Sequence, residues 1–304
     1  MRKFLHIQPE VAQALANNEP VVALESTVIT HGLPYPDNVA TAVNMQTAVR
    51  DGGAVPATIA IIKGQVHVGL TDDQLEYLGQ LAGKPVRKCS RRDIPLAIGN
   101  QENGATTVAG TMILAHLAGI HLFATGGIGG VHRGHPFDIS ADLLELGQTP
   151  VAVVSSGAKS ILDLPATREV LETHGVPVIG YGTDELPAFF ARSSGLSVDI
   201  RLDTPEAVAR VLQAHQQTGL QNGLLITVPV PAADACDPDM VEAAIEQATQ
   251  EADVQGIHGP ASTPWLLRRV VELTNGRSLQ ANVALLRNNG FVAATIARAL
   301  TALS

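Results

Sequence analysis

Lys159 lies in the stretch SSGAKSILD, directly after the apolar run VAVVSS, in a turn of small residues. An amine desolvated at such a place loses affinity for its proton and becomes a nucleophile toward a carbonyl or an opened sugar. Glu25, in VVALESTVITHG, follows a similar apolar run. A partly buried carboxyl there would hold its proton more tightly than in water, which suits a general acid. A purely structural Glu25 would need a dedicated partner, because unpaired burial of a carboxylate is costly.

Glycine is densest in ATGGIGGVHRGHPFDISADL, residues 124–143. A glycine-rich turn after a strand lets backbone N–H groups approach an anion such as a phosphate. Gly127, Gly129 and Gly130 lack the G-x-G-x-x-G spacing, and no G-K-[ST] follows, so neither a dinucleotide fingerprint nor a Walker loop is present. The alternative is a tight turn packed on a helix. His132, Arg133 and His135 accompany the loop, and Thr106, Thr107 and residues 127–132 are the candidate phosphate donors. Asp138 and Asp142 stand four apart, so on a helix they would share a face. Oxygen-only ligands of this kind suit Mg or Mn better than zinc, although either Asp would serve equally well as a helix N-cap. Cys89 and Cys236 have neither disulfide-framework nor zinc spacing. Cys89 sits beside Arg87, Lys88 and Arg91, cations that would activate a thiol; the alternative is a small buried residue.

Apolar, β-branched runs over 21–29, 57–62, 122–125, 151–155, 176–181, 198–202 and 224–228 predict the strands that position these groups. Helical spacing over 37–50, 71–82, 105–118, 165–174, 183–192, 203–219 and 238–251 alternates with them, and Pro205 and Gly219 punctuate the sixth of these segments. TIAIIKGQVHVGL folds back too quickly for a helical crossover and predicts a hairpin at Lys63-Gly64-Gln65. After residue 260 three helical stretches follow without strands, and Asn282 on their inner face would reach the sheet's edge. The expected fold is α/β, layered α/β/α, with a mixed, mostly parallel central sheet and a helical C-terminal cap. No linker or internal repeat interrupts residues 1–304, so one domain is expected.

The 304 residues are 45% apolar and 16% charged, enough for a sizeable core and too few charges for a coiled coil or disordered chain. A net charge of -9 argues against duplex nucleic acid as a partner, and a 3% aromatic share argues against stacking along a single strand. No run approaches the ~20 apolar residues of a membrane helix. The opening MRKFLHIQPEVAQAL has no apolar signal core, so a cytoplasmic protein is expected.

Several motifs taken together carry a resemblance: ALESTVITHGLPYPDN, GAVPATIAIIKGQVHVGL, KCSRRDIP, GATTVAGTM, ATGGIGGVHRG with DISADL, VVSSGAKSILDLP and QANVALLRNN. In this order and over nearly the whole chain, they resemble the pseudouridine-5'-phosphate glycosidases. That resemblance implies reversible cleavage of the C–C bond between uracil and ribose 5-phosphate. It implies an α/β/α fold, one Mn-type divalent ion per subunit and a homotrimer. It places the Schiff-base lysine on Lys159, the proton donor on Glu25, the metal on Asp138, and substrate contacts on Ser140 and Asp142. Lys88, Val108, Asn282 and His132 match further substrate-site positions, with His132 in a supporting role. Glu25 would assist ring opening and Lys159 would attack C1'. C5 of uracil would then be protonated, and hydrolysis of the Schiff base would release ribose 5-phosphate. Asp142 and metal-held water would carry protons, and Lys88 would aid binding of uracil or phosphate. Without the resemblance, Lys159 with Asp and Glu would also fit a Schiff-base sugar-phosphate aldolase. A non-catalytic sugar-phosphate sensor would need neither Lys159 nor Glu25.

Overall fold

Seven parallel strands make the centre of the computed structural model, which describes residues 4–257, 259 and 262–303. In space they run Val55–Ile62, Val21–Leu24, Leu122–Ala124, Ala152–Ser155, Leu224–Thr227, Val178–Tyr181 and Ile200–Leu202. Val21–Leu24, Leu122–Ala124, Ala152–Ser155 and Leu224–Thr227 are buried at every position. Unbroken apolar runs of this kind belong in strands covered on both faces. The long helix Arg277–Thr301 covers three of them, flanked by Asp37–Asp51 and Pro205–Thr218. Val108–Ala118 packs on the same region of the sheet from the other side, with Ala141–Leu146 beside it. The layers are those the sequence predicts.

The sheet is also mixed as expected. Gln65–Val68 returns antiparallel to Val55–Ile62 through Lys63 and Gly64, whose φ values of 49° and 77° are those of a two-residue hairpin turn. Leu5–Ile7 adds to it in parallel, and the short strands Arg87–Cys89 and Gly104–Thr106 extend the same side, giving eleven strands. A separate three-stranded arm, Leu162–Asp163, Val131–His132 and His135–Ile139, stands beside the sheet.

Four expectations fail for local reasons. The strand predicted over 21–29 stops at Leu24, and Val28–Gly32 forms a π-helical turn. Ser26 explains the turn: its hydroxyl donates to Ile59 O at 2.7 Å and accepts from Thr106 N at 2.9 Å, so the chain is pinned across the sheet end. Residues 183–192 are irregular rather than helical, with Leu186 N paired to Leu196 O and Phe189 at φ 62°. The helix expected from 105 begins at Val108, because Gly104–Thr106 is a strand; a Cβ on Gly104 would lie 2.5 Å from Cys89 Sγ. At the C-terminus two helices replace three, Ser262–Leu273 and the 25-residue Arg277–Thr301. Gly290 does not break the second helix; it lets the helix approach the backbone of Met45.

Candidate active site

Parallel strands end together, and in open α/β sheets ligands bind beyond their carboxyl ends. Here that edge opens into a cleft of about 1310 Å³. Glu25, Lys88, Val108, His132, Asp138, Ser140, Asp142 and Lys159 all line it, so eight of the nine sequence-predicted site residues are brought together. Asn282 does not line it. Its Oδ1 lies instead 3.5 Å from where a Cβ of Gly126 would stand, at the sheet's edge but behind the cleft.

Glu25 leaves the end of Val21–Leu24 and is 9% exposed. Its two carboxylate oxygens accept from the hydroxyls of Thr125 and Thr27, the partners that its burial demands. Neither threonine stood out in the sequence. Lys159 follows Ala152–Ser155 in a tight turn: its N–H donates to Ile128 O at 3.1 Å, and Ile128 N donates back to Gly157 O at 3.0 Å. Gly157 is at φ 81°, where a Cβ would meet Pro187 O at 2.4 Å. Lys159 does not sit at the start of a helix; a short strand, Leu162–Asp163, comes first.

Lys88 reaches the cleft from Arg87–Cys89. Burial pushes its amine below the usual lysine range and the charge of Lys159 pushes the same way, while Asp142 and Glu25 oppose them. Lys88, Lys159, Asp142 and Glu25 are therefore one electrostatic unit. Cys89, next along the strand, is fully buried, and its thiol is pushed up to about 12, chiefly by burial and then by Asp93. It is a core residue, and the reactive-thiol reading falls.

Asp138 and Asp142 do not share a helix face. Asp138 is in the strand His135–Ile139, whereas Asp142 is in the first turn of Ala141–Leu146, capped by Ser140. Asp142 Oδ1 accepts from Ala109 N and Oδ2 from Gly129 N, each at 2.9 Å. It thereby ties the start of Val108–Ala118 to the glycine-rich loop. Gly129 lacks a Cβ because one would stand 2.2 Å from Ser140 Oγ and 2.8 Å from Asp142 Oδ2. Asp138, half-buried, makes no hydrogen bond or ion pair among the described residues. Burial pushes the His132 imidazole below its usual range; Asp138 pulls it back up, and His135, Lys88 and Lys159 push it down.

The phosphate-loop expectation is corrected by the backbone. The N–H groups of Ile128, Gly129 and Val131 go to Gly157 O, Asp142 and Thr167 Oγ1. At these three positions the loop is a packed turn rather than an anion cradle. Thr106 is in the core, its hydroxyl donating to Ile59 O at 2.8 Å. Thr107 does line the cleft and caps Val108–Ala118 by accepting from Gly110 N at 3.2 Å. Arg91, also on the cleft, is held by the buried Glu145 through bonds of 2.6 and 2.9 Å. Asn289, two helical turns beyond Asn282, is fully buried and donates to Thr125 O at 2.9 Å. Only the phase of the finished helix separates it from Asn282 and Asn288 in the same motif.

The fold and cleft define a layered α/β protein that holds two lysines and a clamped glutamate at the carboxyl edge of its sheet. The chain belongs to the family described as Indigoidine synthase A like protein, whose model matches residues 10–299. It is similar to pseudouridine-5'-phosphate glycosidases of Hahella chejuensis, 58% identical over 98% of both chains, and Escherichia coli, 55% identical over 97% of this chain and 95% of that one. Among solved structures it resembles the prealnumycin C-glycosynthase AlnA in complex with ribulose 5-phosphate, with a TM-score of 0.91, 44% identity and coverage of 100% and 99%. It also resembles an indigoidine synthase A-like protein of Thermotoga maritima, with a TM-score of 0.89, 36% identity and coverage of 98% and 97%. No helix among the described residues is long and apolar enough to cross a membrane.

Proposed function

We propose that this protein reversibly cleaves the C–C glycosidic bond of pseudouridine 5'-phosphate, giving uracil and ribose 5-phosphate. One observation carries the reading: Lys159 and Glu25 line one cleft at the carboxyl edge of the sheet and both act on the charge of Lys88. The family membership and the names of the relatives support the choice of substrate.

The leaving group is carbon 5 of uracil, so protonating an exocyclic oxygen cannot free it. Glu25 protonates O4' as the C1'–O4' bond breaks, and the unprotonated amine of Lys159 bonds to C1'. That nitrogen loses its extra proton and then its lone pair forms the C=N bond as C1'–C5 breaks. C5 takes its proton before that bond breaks, so the released pair restores the C5=C6 double bond and uracil leaves. Water adds to the Schiff base, frees Lys159 and leaves C1' as the aldehyde of ribose 5-phosphate. Lys88 supplies positive charge near the uracil oxygens or the phosphate, and His132 supports the same side of the cleft. Asp142 spends one lone pair of each oxygen on backbone N–H groups, so with Ser140 it contacts a substrate hydroxyl through what remains rather than carrying protons freely. Val108, at the start of its helix, bounds the substrate.

A divalent ion of the manganese type fits Asp138. The carboxylate is free of hydrogen bonds and ion pairs among the described residues and faces an open cleft. Among the described residues no group of three His, Cys, Asp or Glu side chains could hold an ion. The ion would thus be held by Asp138 and mainly by water, as hard divalent ions often are. When bound it supplies positive charge and a more acidic water. A homotrimer acting in the cytoplasm completes the proposal. Exposed apolar side chains support assembly: Phe137 is 97% exposed, and Ile139 and Leu144 are exposed on the lining of the cleft.

Borohydride trapping with ribose 5-phosphate, with and without uracil and Mn, followed by peptide mass mapping, tests the reading. The expected result is a stable adduct on Lys159. No adduct with uracil still consumed would move the reaction to direct displacement by a carboxylate. Release of a two- or three-carbon carbonyl would point to an aldolase, and binding without turnover to a sensor.

A further inference from the structure

Along the inner face of Arg277–Thr301 the buried residues include Leu285, Leu286, Val292 and Ala293, the apolar types expected there. Asn289 interrupts them. Its Nδ2 lies 2.9 Å from Thr125 O and 3.4 Å from Gly126 O, and the Ser156 hydroxyl lies against both ends of the same amide, 3.1 Å from Nδ2 and 3.3 Å from Oδ1. Asn289, Thr125 and Ser156 are each fully buried.

Thr125 and Ser156 follow the ends of neighbouring strands, and each leads to a reacting group. The Thr125 hydroxyl donates to Glu25. Ser156 opens the turn Gly157-Ala158-Lys159, whose lysine N–H bonds to Ile128, two residues beyond Gly126. One amide therefore spans the carboxylate side and the amine side from behind the sheet. We propose that Asn289 is a positioning residue for the reaction: it fixes the clamp of Glu25 relative to the turn of Lys159 without touching the substrate. An amide suits the place because its two N–H groups serve the Thr125 carbonyl, at 2.9 Å, and the Ser156 hydroxyl, at 3.1 Å, with Gly126 O a longer shared contact, while its oxygen lies within reach of the same hydroxyl. Asp would turn lone pairs toward those carbonyls, and an apolar residue would take the Asn289 donor from Thr125 O, while Gly126 O would keep Ser156 N at 2.8 Å. The proposal rests on the reading of Lys159 and Glu25 given above.

The test compares Asn289→Ala, Ser156→Ala and the double variant with Val11→Ala, a core substitution on the N-terminal helix Pro9–Ala16, away from both strand ends. Two readouts are needed: steady-state kinetics, and reductive methylation with formaldehyde and cyanoborohydride mapped by peptide mass. For Asn289→Ala, kcat is expected to fall roughly tenfold to hundredfold with KM within about threefold, since misplacement by an ångström costs on that order. Ser156→Ala should lose less, and the double variant should be no worse than Asn289→Ala, because the two share one contact. Methylation of Lys159 should change at least about threefold in Asn289→Ala relative to the exposed Lys63 and Lys84, and should hold in Val11→Ala. Should Asn289→Ala not fold, Asn289→Ser takes its place in every comparison. Additive losses, a kcat drop matched by Val11→Ala, or unchanged methylation of Lys159 would each overturn the proposal. A wild-type protein without turnover would sink the glycosidase reading instead, and the methylation ratio would still decide the role of Asn289.

Discussion

The glycine-rich loop and the arm that follows it are contiguous in the chain and opposite in character. From Gly126 to Gly130 the backbone is tied in by Ser156 N, Gly157 O, Asp142 and Ser140 N, and the segment is almost wholly buried. From His135 to Phe137 the chain is exposed, and Asp138 keeps a carboxylate without hydrogen bond or ion pair among the described residues. The difference separates two tasks. On the function proposed above, groups that form and break bonds need positions fixed by several neighbours at once, whereas a water-rich ion site on Asp138 would tolerate an arm with few packing contacts. Substitutions on the two sides should therefore differ in kind, the locked side losing rate and the arm losing ion dependence or assembly.

The largest effect belongs to the locked side. Lys159→Ala should lower turnover by at least about 10⁴-fold, the scale on which loss of a nucleophile is felt, with the unfolding temperature within a few degrees. Progress curves and thermal unfolding of the same preparation check this, and a variant within tenfold of wild type would remove Lys159 from the chemistry. Asp142→Asn comes next. Its amide has one acceptor oxygen where two backbone N–H groups, Ala109 and Gly129, need one each. One N–H is left facing an NH₂ group, at a cost of about 1–3 kcal/mol in stability, and the displaced loop should cost about a hundredfold in kcat. Chemical denaturation and kinetics together read both numbers. Retained stability with lost rate would instead make Asp142 a direct proton carrier.

The same contrast decides what could be read without coordinates. Pro205, Gly219 and the run of apolar residues between them foretell a helix because capping, period and packing agree. The hairpin at Lys63-Gly64-Gln65 is equally legible, since the apolar stretches on either side of it lie too close in the chain for a helical crossover. Residues 183–192 have helical spacing but also Pro187, and the segment satisfies its backbone through Leu196 and Ser156 instead. No local signal announces those partners. At the site, Glu25 and Lys159 were visible because a charged residue after an apolar run is anomalous. Thr27, Thr125 and Asn289 are ordinary residue types whose importance comes from what stands opposite them in space. Asp142 is legible as a carboxylate near a glycine loop, but the two N–H groups of Ala109 and Gly129 that it accepts from are visible only in the fold.

On the arm the expected losses are smaller. Asp138→Ala should abolish stimulation by added Mn and lower metal-supported activity roughly tenfold to hundredfold, with little change in stability because among the described residues no hydrogen-bond or ion-pair partner is left unpaired. Titration calorimetry with Mn measures the binding directly, and undiminished Mn affinity would take Asp138 out of the ion's shell.

Phe137→Ser should have the smallest effect on the single chain and the clearest effect on assembly. With 97% of its surface in contact with solvent, the side chain contributes almost nothing to folding one copy, so its removal should change that stability by less than about 0.5 kcal/mol. An exposed Phe on the same short strand as exposed Ile139 is nevertheless costly to leave in water unless another copy covers it. Sedimentation at micromolar concentration should give the mass of three chains for the wild type and a lower mass for Phe137→Ser, with turnover per chain changed less than about threefold because the locked side is untouched. A three-chain mass in both proteins would show that the arm's tip lies outside the contact. A large loss of turnover accompanying the loss of mass would show that the neighbouring copy helps to hold the cleft, and the separation between locked loop and free arm would then hold only within one chain.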